Sequence, residues 1–118
     1  MQVDILIIDE PTTGLDTITS REMTRLINQF NKMGKTIIVI THDMNLVSEN
    51  IPRCVVMYKG QKLMDGPTYE VLSRVDDLKK TYLKPPQINL FCRRLIEYGF
   101  TDQVMTIDEA VNGMRFEK

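Results

Sequence analysis

Apolar and polar positions at the start of the chain fall into a strand, helix, strand pattern. Residues 3–8 are a continuous apolar run broken only by Asp4, which is the pattern of a strand buried on both faces, as in a parallel sheet. The run stops at Asp9-Glu10-Pro11, because proline has no N–H to continue a central strand. A turn-forming stretch, Thr12-Thr13-Gly14-Leu15-Asp16, follows. Met23, Leu26, Ile27, Phe30 and Met33 then recur at i, i+3, i+4, i+7 and i+10, which predicts an amphipathic helix over residues 17–33. Asp16 or Thr17 caps its start, and Gly34 supplies a left-handed residue to end it. Thr36-Ile37-Ile38-Val39-Ile40 predicts a second buried strand, so the first third of the chain reads as a right-handed βαβ unit with parallel strands. The second strand delivers Thr41-His42-Asp43.

Downstream, the pattern predicts a short helix over 44–50, stopped by Pro52. Residues 54–58 and 61–64 flank Lys59-Gly60, a β-hairpin pattern, closed by Asp65-Gly66-Pro67. Thr68 is placed to cap a helix over 68–73. Pro85-Pro86 forces an extended break and is the expected boundary between an α/β core (1–84) and a helical extension (85–118). In the extension, a helix over 87–98 presents Ile88, Phe91, Cys92 and Leu95 on one face and stops at Gly99. Thr106-Ile107-Asp108-Glu109 is a capping box that opens the last helix.

Composition narrows the function classes. With 118 residues, 42% hydrophobic and 26% charged, the chain is at most one ordinary soluble domain. A formal net charge of −1 gives no global field to draw it onto nucleic acid. No apolar run approaches the ~18–20 residues of a membrane-spanning helix, and Met1-Gln2-Val3-Asp4 has no basic leader region. Cys54 and Cys92 lack metal-ligand spacing and have apolar neighbours, so they read as buried free thiols in a reducing cytosol. Between Asp77 and Glu97 stand Lys79, Lys80, Lys84, Arg93 and Arg94 with no acid among them. That stretch is either a solvated face or a contact for a partner subunit or lipid headgroups.

The candidate chemistry lies at the carboxyl ends of the two predicted strands, where open α/β sheets bind ligands. Adjacent acids at Asp9 and Glu10 repel unless a cation or a proton compensates. A Mg²⁺ ion with its waters suits Asp9. Glu10, next in sequence and facing the other way, can orient and polarise a water for attack on phosphorus. His42, the single histidine, leaves the neighbouring strand at the same edge, where an imidazole can bond a phosphate oxygen or the attacking water. Each feature also has a plain reading: solvated acids at a strand end, a turn histidine, and Asp16 as a helix cap.

Taken together, Asp9-Glu10-Pro11-Thr12, Thr13-Gly14-Leu15-Asp16 and Ile40-Thr41-His42-Asp43 resemble the nucleotide-binding subunits of ATP-binding cassette (ABC) transporters over residues 3 to 75. The resemblance implies an incomplete P-loop NTPase fold with a parallel βαβ, a β-hairpin and a C-terminal helical extension. It makes residues 3–10 the Walker B strand, with Asp9 near Mg²⁺ through water and Glu10 polarising the lytic water. His42 becomes the switch histidine. Residues 13–16 become the D-loop, with Asp16 at the interface to a second subunit. Lys84-Pro85-Pro86-Gln87 and the segment from Thr106 resemble the C-terminal extension of energy-coupling-factor ATPases, which drive uptake of vitamins or metal ions.

The chain departs from the family pattern in one respect: it contains no G-x-x-x-x-G-K-[ST], no Leu-Ser-Gly-Gly-Gln signature and no Q-loop. In the family these precede the Asp-Glu strand, and this chain begins at that strand, with Met1 either an internal methionine or an added start. A phosphate cradle needs glycine-rich backbone donors and a lysine. The expectation is therefore that ATP and Mg²⁺ serve an intact parent subunit, while this chain alone binds ATP weakly and does not hydrolyse it. Expected partners are a second ATPase subunit and transmembrane transporter subunits, with no nucleic acid, at the inner face of the cell membrane. Self-association is expected through the apolar edge of residues 36–40. The alternatives are a piece of a DNA-repair or chromosome-type ABC ATPase, and a non-enzymatic dimerisation or regulatory module.

Overall fold

The structure, a computed structural model, describes residues 3–101 and 103–113. Expectations for residues 1–2, for Asp102 and for residues 114–118 at the end of the extension lie outside the described residues. The described chain forms two compact units that divide between Asp43 and Met44.

In the first unit, β1 (Ile5–Asp9), α1 (Thr17–Lys32) and β2 (Thr36–Ile40) follow the predicted order. β1 and β2 pair in parallel, with Ile5 opposite Thr36 and Asp9 opposite Ile40. A parallel pair needs a crossover, which α1 provides. Asp16 caps α1, its Oδ1 accepting the Thr19 N–H at 2.7 Å. Gly34 takes φ +89° just past the helix, a left-handed conformation that glycine adopts without a Cβ clash.

The expectation of strands buried on both faces is not met. Leu6, Ile8, Ile37 and Val39 are half-buried, while Ile5, Ile7, Ile38 and Ile40 are 46–63% exposed. The physical reason is that a two-stranded sheet with one helix against it has cover for one face only. On α1, Ile27 is buried and Met23 and Phe30 are half-buried. Leu26 lies on the flank of the stripe, and Met33 has become the C-cap, so both stay exposed.

The second unit contains α2 (Met44–Asn50), β3 (Arg53–Tyr58), β4 (Gln61–Pro67), α3 (Thr68–Ser73), α4 (Val75–Leu78), α5 (Gln87–Arg94), a 3₁₀ turn (Ile96–Tyr98) and α6 (Ile107–Gly113). β3 and β4 form the expected antiparallel hairpin. Lys59 (φ +49°) and Gly60 (φ +75°) both sit in left-handed backbone, the requirement of the two-residue turn whose twist matches paired strands. The core joins Val47, Val56, Met64, Val71, Leu72, Leu78 and Met105. A second cluster of Cys92, Val104 and Ala110 lies beneath Ile88 and Phe100.

Three local expectations change. Thr68 is the first residue of α3 rather than its cap, and its hydroxyl is buried without a partner. The helix expected over 87–98 stops at Arg94 and tightens into the 3₁₀ turn, while Gly99 (φ +89°) ends it as expected. Of the two free thiols, Cys92 is buried but Cys54 only half-buried. The capping box forms in part: Thr106 Oγ1 accepts the Glu109 N–H at 3.2 Å, but Glu109 Oε2 accepts the Met105 N–H, one residue before the cap, at 2.9 Å.

Candidate functional site

Because β1 and β2 are parallel, they end at the same edge, and the loops that follow them meet. The Glu10 N–H donates to the Ile40 carbonyl at 2.7 Å, one rung beyond the last strand residue. Glu10 then adopts φ +47°, a left-handed conformation uncommon for a side chain with a Cβ, and the alternation of β1 ends there. Such a residue persists only where its surroundings hold it. Here hydrogen bonds do so. His42 Nδ1 lies 2.7 Å from Glu10 Oε1, and the hydroxyls of Thr13 and Thr41 each donate to Oε2 at 3.2 Å. Thr41 Oγ1 also accepts the Asp43 N–H at 3.0 Å. The Thr12 hydroxyl donates to Asp43 Oδ2 at 3.0 Å.

The electrostatics follow from these bonds. The His42 hydrogen bond is the largest cause holding the Glu10 carboxyl below its ordinary range; desolvation opposes it, and Thr13 and Thr41 add smaller contributions of the same sign as His42. Glu10 is therefore ionised at neutral pH, and an ionised carboxylate only accepts. The imidazole proton of the pair must lie on Nδ1, which leaves Nε2 as the free end of a ring that is 75% exposed. A neutral ring in this tautomer offers Nε2 as an acceptor; only the protonated ring can donate from it.

The sequence-expected residues thus occupy different positions. Glu10 and His42 come together. Asp9 stands one residue earlier, exposed at the end of β1, on the strand face of Ile5 and Ile7 and outside the hydrogen-bonded cluster. Asp16 is committed to the start of α1, and the Thr19 backbone bond is the leading cause that lowers its carboxyl pKa. Sequence reasoning gave no role to Thr12, Thr41 or Asp43, and took Thr13 only as the first residue of the D-loop. The available signal was the placement of hydroxyl and acid residues directly after both strand ends.

Among the described residues no group of three or more His, Cys, Asp or Glu side chains could hold a metal by itself. Mg²⁺ does not need such a cage: it commonly keeps its waters and uses one or two carboxylates with substrate phosphates. A single exposed carboxylate at a strand end, as at Asp9, fits that mode.

No protein-family model matches the chain. Individual proteins do. A putative ABC transporter ATP-binding protein of Methanosarcina acetivorans is 46% identical over 86 residues, 73% of this chain and 14% of that protein. The energy-coupling factor transporter ATP-binding protein EcfA2 of Streptococcus thermophilus is 38% identical over 113 residues, 94% of this chain and 40% of that protein. The solved structure of cbiO1 from Clostridium perfringens, described as part of the ABC transporter complex cbiONQ, superposes with a TM-score of 0.54 at 30% identity, covering 81% of this chain and 36% of that one. The chain matches the ABC transporter ATP-binding family over part of that family's length. Its parallel strand pair, hairpin and C-terminal helices are a portion of the ABC ATPase fold. The relatives include energy-coupling-factor ATPases, as the sequence of residues 84–110 implied, and the chain spans 14–40% of these curated relatives.

Proposed function

We propose that this chain supplies the carboxyl-terminal side of the ATP-hydrolysing site in an ABC transporter ATPase of the energy-coupling-factor type, which powers solute import. The observation that carries this reading is the 2.7 Å pair of Glu10 and His42 at the strand edge where the Asp-Glu segment ends. Glu10 orients and polarises the water that attacks the terminal phosphate. Its lowered pKa makes it an anion suited to aligning a water and a weak base for removing its proton. His42, with Nδ1 held by Glu10, directs Nε2 outward, as an acceptor toward that water or, when protonated, as a donor to a phosphate oxygen. Asp9 would hold a magnesium ion through water, and the ion would supply charge neutralisation to the phosphates.

In this reading Asp16 lies on the loop that faces a second ATPase subunit, and residues 85–118 form a helical extension of the nucleotide-site portion in 1–84. The presence of Met105 in the core of the second unit supports an extension that is packed rather than free. Transmembrane subunits select the solute, and the assembly sits on the inner face of the cell membrane. Among the described residues no helix is long and apolar enough to cross a membrane. The triphosphate's cradle is missing from the sequence, so the 118-residue chain binds nucleotide loosely and does not turn it over.

Mn²⁺·ATP, added to the ¹⁵N-labelled chain, tests this, because paramagnetic broadening detects loose complexes. Amide signals of Asp9, Glu10 and His42 are expected to broaden first, with no phosphate released. Broadening confined to the second unit would remove the proposed site. Measurable hydrolysis abolished in Glu10→Gln would keep the site and overturn the inactivity.

A further inference from the structure

The bonds around Glu10 form a circuit that the reading above does not use. Glu10 has a carboxylate about a third exposed (32%), so packing alone does not fix its orientation. Hydrogen bonds must do so. Thr41 is placed differently from the other donors. Its single hydroxyl donates to Glu10 Oε2 at 3.2 Å and accepts the Asp43 N–H at 3.0 Å, which uses its one proton and a lone pair in two directions. The Thr12 hydroxyl also joins the two loops, but at Asp43 Oδ2 rather than at the amide that braces Thr41. The Thr41 side chain therefore connects the carboxylate to the backbone on the far side of His42. Thr13, by contrast, reaches Glu10 from within the same turn, three residues away.

We propose that Thr41 is a positioning residue: its hydroxyl, braced by the Asp43 amide, fixes the Glu10 carboxylate in the orientation that engages His42 Nδ1. Its relevance to hydrolysis rests on the reading of Glu10 and His42 given above; the positioning itself does not. A hydroxyl that is fully used makes the role specific. Serine retains both bonds, whereas valine, with the same shape, loses both, which leaves Glu10 Oε2 with the Thr13 hydroxyl and removes the link from the carboxylate to the Asp43 amide.

The single histidine gives the test an unambiguous signal, the ¹⁵Nδ1 resonance of the His42 ring, read in the 118-residue chain at one fixed pH. Glu10→Gln sets the value for a disrupted pair. Thr41→Val is expected to move the resonance at least half of the way to that value, Thr41→Ser to leave it near wild type, and Thr12→Val to leave it unmoved. Thr41→Ala removes the same two bonds without a β-branched methyl and is read in the same way, so an unfolded valine variant does not remove the test. An unmoved resonance in both Thr41→Val and Thr41→Ala overturns the proposal. An equal shift in Thr12→Val also overturns it, because general loosening of the two loops would then be the cause. Mn²⁺·ATP broadening separates the two claims. Its absence near Glu10 with the Thr41 shifts intact rejects the nucleotide reading and supports the positioning; its presence with no Thr41 shift does the reverse.

Discussion

At the scale of single residues, Thr68 shows how a side chain can read one way in sequence and act another way in the fold. A threonine after Pro67 looks like a helix cap, but its backbone N–H donates to the Pro52 carbonyl at 3.0 Å, a partner sixteen residues away that no local pattern reveals. The hydroxyl that should have capped is buried, in a residue only 5% exposed, with no bond. A buried polar group without a partner costs about 1–3 kcal/mol. Thr68→Val keeps the shape and the backbone bond and removes the orphan oxygen. It is expected to stabilise the chain by about 1 kcal/mol, seen as a higher urea midpoint with an unchanged slope. A lower midpoint would mean that the hydroxyl has a bonded water and is needed. The same limit on local reading applies at the candidate site. Glu10 and His42 were legible because parallel strands must end at one edge. The roles of Thr13 and Thr41 were not, because they depend on the left-handed backbone of Glu10, which nothing in Asp9-Glu10-Pro11 requires.

At the scale of elements, α1 was readable from end to end because period, cap and stop agree: a 3.6-residue stripe, Asp16 before it and Gly34 after it. The cap also makes the helix start sensitive to pH. The Thr19 backbone bond holds the Asp16 carboxyl below its ordinary value in the folded chain. A depressed folded pKa contributes stability that is present above the unfolded value, near ~3.9, and is lost as pH falls through that value and then the folded one. The Thr19 amide resonance should therefore move, and the first turn of α1 fray, on acidification below about pH 4. Asp16→Asn keeps a capping oxygen and should flatten that response, while Asp16→Ala should fray the turn at every pH. A Thr19 amide with the same acid response in Asp16→Asn would place the cause elsewhere. The hairpin was equally plain, since Lys59-Gly60 tolerates the two left-handed residues its turn requires. The end of α5 was not, because Leu95 continues the apolar stripe past Arg94. Asn89 was missed outright. It is fully buried, with its Nδ2 donating to the Val104 carbonyl at 2.7 Å and its Oδ1 accepting from Arg93 at 3.2 Å, and an asparagine between Ile88 and Leu90 gives no hint of those distant partners.

At the scale of the whole molecule, the apolar runs in both strands were read correctly as strands and incorrectly as buried on two sides, since a run of isoleucines looks the same whether one layer covers it or two. The consequence is a row of Ile5, Ile7, Ile38 and Ile40, 46–63% exposed, on a sheet whose described strands are only β1 and β2. A contiguous apolar face of this kind marks a contact surface or an aggregation hazard. The outer edge of β2 adds to it, because Thr36-Ile37-Ile38-Val39-Ile40 carries no charge or proline of the sort that blunts an edge. The chain should therefore self-associate, with a sedimentation coefficient that rises with protein concentration. Ile7→Lys together with Ile38→Lys places two charges on this face; register sets the two residues directly opposite each other, and like charges there repel a second copy more than they disturb an already solvated position. That variant should sediment as a monomer with its helical signal retained. If the wild-type chain is itself monomeric at every concentration, the exposed isoleucines are no interface in this chain. If the double variant still associates, the contact lies off this face, at the outer edge of β2 or in the second unit, where the exposed Phe91, Tyr98 and Ile107 become the residues to charge next.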